Sequence, residues 1–113
     1  MTPSEFDSTA DATLERIAQA LDESGADCDC ETKGAGVLEL EFADASRMIV
    51  NRHSGAQEIW VAAKSGGYHF RWNGSTWVDT RDGGELFATL SKLVGGQSGG
   101  RVILRSERTT GKT

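Results

Sequence analysis

The 113-residue chain contains no run approaching the roughly 20 consecutive apolar residues that a membrane-crossing helix needs. It does not open on the basic, apolar segment of a secretory signal either. Residues 1–15 are acidic and contain no Arg, which also excludes a transit peptide. These absences point to a cytosolic protein with no membrane partner. Cysteine is scarce: Cys28 and Cys30 are the only two. Adjacent positions on one strand face are poorly placed for a disulfide, and a cytosol is reducing. No CxxC pair is present to complete a tetrahedral metal site. Two buried, inert thiols are therefore expected. Arrangements that carry catalysis are missing as well. There is no Ser/His/Asp order, no phosphate-cradling glycine loop and no paired-carboxylate pocket, and Gly66-Gly67 reads as a turn. The chain is thus not expected to be an enzyme.

Basic charge is lacking in one half. Residues 1–50 hold 12 acids and 3 bases, whereas residues 51–113 hold 5 acids and 9 bases, for a net charge of −5. Nucleic acid is an unsuitable partner for the acidic half, because phosphates would be repelled. Cations or a basic protein surface suit it, and so does the plainer role of a solvated face that keeps the protein soluble.

What is present reads as a single domain of alternating element types. Thr2-Pro3-Ser4-Glu5 is a capping box with Pro at the first helical position. Phe6, Ala10, Leu14, Ile17 and Leu21 follow at helical spacing, and Gly25 ends the helix. Asp22 and Glu23 fall in its last turn, where anions oppose the helix dipole. In residues 27–32, Asp27, Asp29 and Glu31 alternate with Cys28 and Cys30, so a strand would point three carboxylates one way and two thiols the other. A bound cation or basic partner would offset the repulsion among those acids.

Strands are expected over Val37–Phe42, Arg47–Asn51, Gln57–Lys64, Tyr68–Trp72 and Thr76–Thr80, joined by short turns that include Asn73-Gly74. In the third of these, Ile59, Val61 and Ala63 share one face. Trp60 shares the other with Glu58, Ala62 and Lys64, and the flanking charges imply that this side is solvated. A large aromatic on a solvated sheet is a contact point for a partner. Trp72 and Trp77 are expected in the core or at the sheet edge, and His53 and His69 as exposed or structural residues, with a weak metal role open to His69. A second helix should start at Asp82 with Glu85 three residues on, present Leu86, Leu90 and Leu93, and stop at Gly95-Gly96. Val102–Leu104 could tuck back as an extended piece. The expected fold is an α+β two-layer sandwich: an antiparallel sheet of five to six strands with both helices on one face, since each helix has one apolar stripe to bury. Residues 1–105 form the domain and 106–113 a flexible tail.

The segments Ser4-Glu5-Phe6, Val37-Leu38-Glu39-Leu40-Glu41-Phe42, Asn51-Arg52, Ile59-Trp60-Val61-Ala62, Ser65-Gly66-Gly67-Tyr68-His69-Phe70 and Glu85-Leu86-Phe87 together resemble the frataxin family, most closely its bacterial members. The resemblance spans roughly residues 4–105 and implies the same sandwich. It also implies a role in iron–sulfur cluster assembly: weak, exchangeable binding of iron (Fe2+ or Fe3+), for which other divalent cations can substitute, and docking on the cysteine desulfurase and the iron–sulfur scaffold protein. Carried over, the acidic ridge that meets metal is Asp22, Glu23, Asp27, Asp29 and Glu31, and the partner-binding surface is Asn51, Arg52 and Trp60. The alternative reading within this resemblance is a ferroxidase or iron-storage protein forming iron-dependent oligomers rather than a monomer. The chain departs from the family pattern at Gln19, Ser24, Gly25 and Ala26, where relatives often carry acids, at Glu58, where Gln is common, and at residues 53–56, which lack a usual Pro.

Overall fold

Helix α1 (Pro3–Ser24) begins at its capping box. The Thr2 hydroxyl accepts the Glu5 N–H at 3.1 Å, and the Glu5 carboxylate accepts the Thr2 N–H at 2.7 Å. Two donors that a helix start leaves without partners are thereby satisfied. Phe6, Ala10, Leu14, Ile17 and Leu21 are buried, so the apolar stripe faces inward as its spacing requires. Gly25 adopts the left-handed conformation (φ 70°) that closes the helix. The structure, a computed structural model, describes residues 1–107.

Six strands follow: β1 (Cys28–Thr32), β2 (Val37–Phe42), β3 (Arg47–His53), β4 (Glu58–Ala63), β5 (Gly66–Trp72) and β6 (Trp77–Asp79). Each pairs antiparallel with its sequence neighbour, giving one meander in the order β1 to β6. Helix α2 (Leu86–Ser98) completes the domain. Leu38, Leu40 and Phe42 of β2, Met48 and Val50 of β3, Ile59 and Val61 of β4, Phe70 of β5 and Trp77 of β6 form one core with the stripes of α1 and α2. Both helices therefore lie on one side of the sheet, and among the described residues no layer covers the other side, which carries Trp60. Among the described residues, no helix is long and apolar enough to cross a membrane.

Three local expectations are corrected. First, β1 starts at Cys28, which leaves Asp27 in the loop, so two carboxylates rather than three share a strand face. Cys28 and Cys30 lie opposite Phe42 and Leu40 on the helix side, but Cys28 is half-buried and Cys30 exposed. The expected burial of both thiols fails because β1 is the edge of the sheet. Second, α2 starts later than Asp82. Glu85 is itself the cap, its carboxylate accepting the Phe87 and Ala88 N–H groups at 2.8 and 3.0 Å. A bridge between Val78 and Glu85 holds the preceding segment extended. Third, α2 runs through Gly95-Gly96 to Ser98 and is capped by Gly99 (φ 79°). A Cβ on Gly95 would lie 2.8 Å from the Gly100 carbonyl oxygen, so this glycine lets the chain turn back closely over the helix. Its helix penalty of about 1 kcal/mol is offset by that return. Beyond it, Leu104 is buried and its N–H bonds the Ser91 hydroxyl at 2.9 Å, so the 102–104 segment does tuck in. Ser106 and Glu107 form a bend, and residues 108–113 of the expected tail lie outside the described residues.

Candidate functional site: the open sheet face

Trp60 occupies the middle of the open face, with Asn51 of β3 and His69 of β5 directly beside it in the register. Its ring is sandwiched. The His53 imidazole stacks on one side at 3.8 Å between centroids and 14° between planes, and the His69 imidazole on the other at 4.5 Å and 10°. The indole N–H donates to Glu58 Oε1 at 2.8 Å, and an Arg71 guanidinium nitrogen donates to Glu58 Oε2, also at 2.8 Å. His69 Nδ1 stands 3.6 Å from Glu58 Oε1. The far side of the slab is anchored too, because His53 Nδ1 accepts the Ala56 N–H at 3.1 Å.

Glu58 is thus not one of two solvated charges flanking Trp60, as its alternation with Lys64 implies. It is 7% exposed and is the post to which the indole is tied. Burial pushes its carboxyl pKa up, but the hydrogen bonds from Trp60 and Arg71 and the charges of Arg71 and His69 outweigh burial and hold it below the usual glutamate range. Trp60 is likewise not bare. Both ring faces are covered and its one polar hydrogen is used, so what it presents outward is a ring edge held in a single orientation. Each aromatic stack contributes about 0.5–1.5 kcal/mol beyond the area it buries. A partner that meets this slab need not freeze a mobile side chain, a cost of about 0.5–1.5 kcal/mol for each side chain that must be ordered.

Arg52 does not join this surface. Adjacent residues on a strand point to opposite faces, so Asn51 stays beside Trp60 while Arg52 points to the helix side. There its Nε donates to Asp11 at 2.7 Å and another guanidinium nitrogen to Asp7 at 3.1 Å, both on α1. Gly36 (φ 75°) makes room for it: a Cβ there would sit 2.6 Å from Arg52 Cγ. Arg52 ties β3 to the first turns of α1, and the grouping of Asn51, Arg52 and Trp60 divides between two faces.

The five ridge acids come to one edge of the molecule. Asp22 and Glu23 are exposed in the last turn of α1, Asp27 in the loop, and Asp29 and Glu31 on the open face of β1. Glu23 pairs with Arg16 at 2.8 Å and Glu31 with Lys33 at 3.2 Å. Register adds two acids that reading by segments missed: Glu41 lies opposite Asp29, and Glu39 opposite Glu31. Like charges directly opposed across strands are destabilising, and Arg47, 3.2 Å from Glu39, relieves one pair. The alternation in Val37–Phe42 marks Glu39 and Glu41 as wet, but nothing local says which residues face them. Carboxylate oxygens suit hard cations. Among the described residues, however, no group of three or more His, Cys, Asp or Glu side chains is arranged to hold a metal ion. The ridge is a row of separate carboxylates rather than a chelating cage.

A family model described as the frataxin-like domain matches residues 1–100 of this chain. The chain belongs to the frataxin-like family. Among its frataxin-like relatives, the iron-sulfur cluster assembly protein CyaY of Dechloromonas aromatica is 54% identical over 105 residues, covering 93% of this chain and 100% of that protein. The protein of the same name from Janthinobacterium is 50% identical over 110 residues, covering 93% and 97%. The solved frataxin from Psychromonas ingrahamii superposes with a TM-score of 0.84 at 34% identity, over 91% of this chain and 97% of that one. The trimeric frataxin of the yeast Saccharomyces cerevisiae superposes at 0.65 with 28% identity, over 80% and 78%. The α+β sandwich expected from periodicity and capping, and implied by the resemblance, is the one found.

Proposed function

We propose that this chain serves iron–sulfur cluster assembly in the cytosol as a non-catalytic, iron-binding regulator that docks on the cysteine desulfurase and its scaffold protein. Its relatives at 44–54% identity carry the assembly-protein name over nearly their whole length. The observation that supports this reading is the pairing of two unlike surfaces: an acidic edge that runs from the end of α1 to the open face of β1 and β2, and an aromatic slab on that open face. An acidic edge (Asp22, Glu23, Asp27, Asp29 and Glu31, with Glu39 and Glu41) adjoins an immobilised aromatic slab centred on Trp60. The edge attracts a cationic macromolecule over a distance of about a Debye length, roughly 8–10 Å at physiological salt, and raises the encounter rate. The slab and Asn51 supply short-range contact with the partner, a role in which aromatic side chains are enriched. Iron is cargo on the ridge. Separate carboxylates hold it with exchangeable waters and little selectivity, so other divalent cations compete for it and a basic partner surface competes for the same acids.

Desulfurase rate measured with the purified chain added, with and without Fe2+, tests the proposal. The rate is expected to change on addition, and the triple variant Asp22→Lys, Asp27→Lys, Asp29→Lys is expected to bind at least tenfold more weakly while melting within a few degrees of the parent. An unchanged rate, or unchanged affinity of that variant in calorimetry, overturns the reading. Catalytic oxygen consumption with Fe2+ and iron-dependent oligomers would favour the ferroxidase or storage alternative in its place.

A further inference from the structure

The two thiols play no part in the proposal above, and their placement differs from that of inert core cysteines. Cys28 and Cys30 occupy consecutive positions on one side of β1, opposite Phe42 and Leu40. Both are free. Because β1 is the sheet edge, no strand among the described residues flanks them on the outer side. Cys28 rests against the core cluster while Cys30 is open to solvent, so one sulfur is held and the other is reachable.

Two sulfurs without a third donor exclude most metals. Zinc in structural sites takes four ligands in a tetrahedron, and no such group exists among the described residues. Soft thiolates prefer Cu(I) among the first-row ions, and a closed-shell d10 monovalent ion is satisfied by two sulfurs in a line. Spacing permits this. Residues two apart on a strand are about 6.6 Å apart along the backbone, and a linear S–metal–S unit spans roughly 4.6 Å for bonds of about 2.3 Å. Each sulfur need lean toward the other by only about 1 Å, within the range of the side-chain rotamers common in strands.

We propose that Cys28 and Cys30 form an intrachain, two-coordinate site for a thiophilic monovalent cation of the Cu(I) or Ag(I) class. Binding replaces two S–H protons by two S–metal bonds: two thiols and M+ give one bis-thiolate complex of charge −1 and two released protons, with no change of oxidation state. Because two protons leave for each ion bound, affinity rises with pH, by up to about 100-fold per unit while both thiols are protonated.

The test is an anaerobic titration of the reduced, full-length chain with Cu(I) buffered by a competing chelator, and with Ag(I) as a redox-inert probe. One ion per monomer is expected, with loss of both thiols to alkylation and release of two protons. Cys28→Ser and Cys30→Ser should each weaken binding by about 100-fold or more, the loss when a two-point attachment becomes one-point. Because Cys28 packs against the core, Cys28→Ala is the companion variant, and far-UV circular dichroism checks that each variant is folded. Three results would overturn the site: a folded single variant that binds as tightly as the parent, one ion shared between two chains in sedimentation, or Zn2+ protecting both thiols as well as Cu(I) does.

Discussion

On the helix side of the sheet, Leu40, Met48, Val50, Ile59, Val61 and Phe70 are removed from water by α1 and α2. On the open side, Trp60 and its neighbours are braced with no layer above them among the described residues. The first face is held by apolar burial, which is non-directional and large, roughly 1.5–3 kcal/mol for each fully buried large side chain. The second is held by stacking and charge-assisted hydrogen bonds among residues 53, 58, 60, 69 and 71, which are directional and individually small. A core can tolerate an approximate fit provided it is filled. The polar bracing around Glu58 fixes the Trp60 ring without covering its outward edge.

The sharpest way to break this contrast is to truncate one aromatic on each face. Phe70→Ala should cost about 3–5 kcal/mol in urea unfolding, and Trp60→Ala only about 1–3 kcal/mol, the worth of its two stacks. Equal losses would show that the open face is part of the core and not a presented surface. Next in size is the post itself. Glu58→Ala leaves the Trp60 N–H without its partner and should cost about 1–3 kcal/mol.

Acid should expose the same contact. The folded Glu58 carboxyl sits below its ordinary range, so its contribution is complete above the unfolded value of about 4.3. It is lost as pH falls through the depressed folded value, because the unfolded chain takes up the proton first. The stability advantage of the parent over Glu58→Gln, read from urea midpoints between pH 6 and pH 3, should therefore shrink below about pH 4. An advantage that stays constant with pH would refute the assignment of charge to Glu58. The smallest effect belongs to the acidic edge. Glu41→Gln removes one of the like-charged pairs and should stabilise by about 0.2–1 kcal/mol at low salt, with the gain fading as salt is added. A loss of stability instead would mean that the opposition of Asp29 and Glu41 is already relieved in the folded state.

Much of the architecture was legible without coordinates. The Thr2–Glu5 cap, the stripe from Phe6 to Leu21 and the inward set of each strand rest on periods of 3.6 and 2 residues and on hydrogen bonds spanning three or four residues. Where the reading failed, a longer-range contact had overruled a local signal. Gly95 and Gly96 read as a stop, but Gly95 is required by the chain returning at Gly100. Asp82 and Glu85 read as a cap and its partner, but the Val78–Glu85 bridge shifts the start of α2. The candidate site is legible in part: strand alternation puts Trp60, Asp29 and Glu31 on the open face, whereas Arg52 turns to the helix side to meet Asp7 and Asp11.

By itself, then, the order of residues determined which segments are helix or strand, how they are capped and which side chains turn inward, because those properties depend on neighbours within a turn or a pleat. Only the tertiary structure decided that Arg52 spends its charge on Asp11 and Asp7, 41 and 45 residues away, that Glu41 and Glu39 stand against Asp29 and Glu31, that two histidines close on Trp60, and that both thiols lie on an outer edge. Those outcomes follow from strand register and strand order, which are set by the packing of the whole sheet against two helices and leave no mark in any short window of sequence.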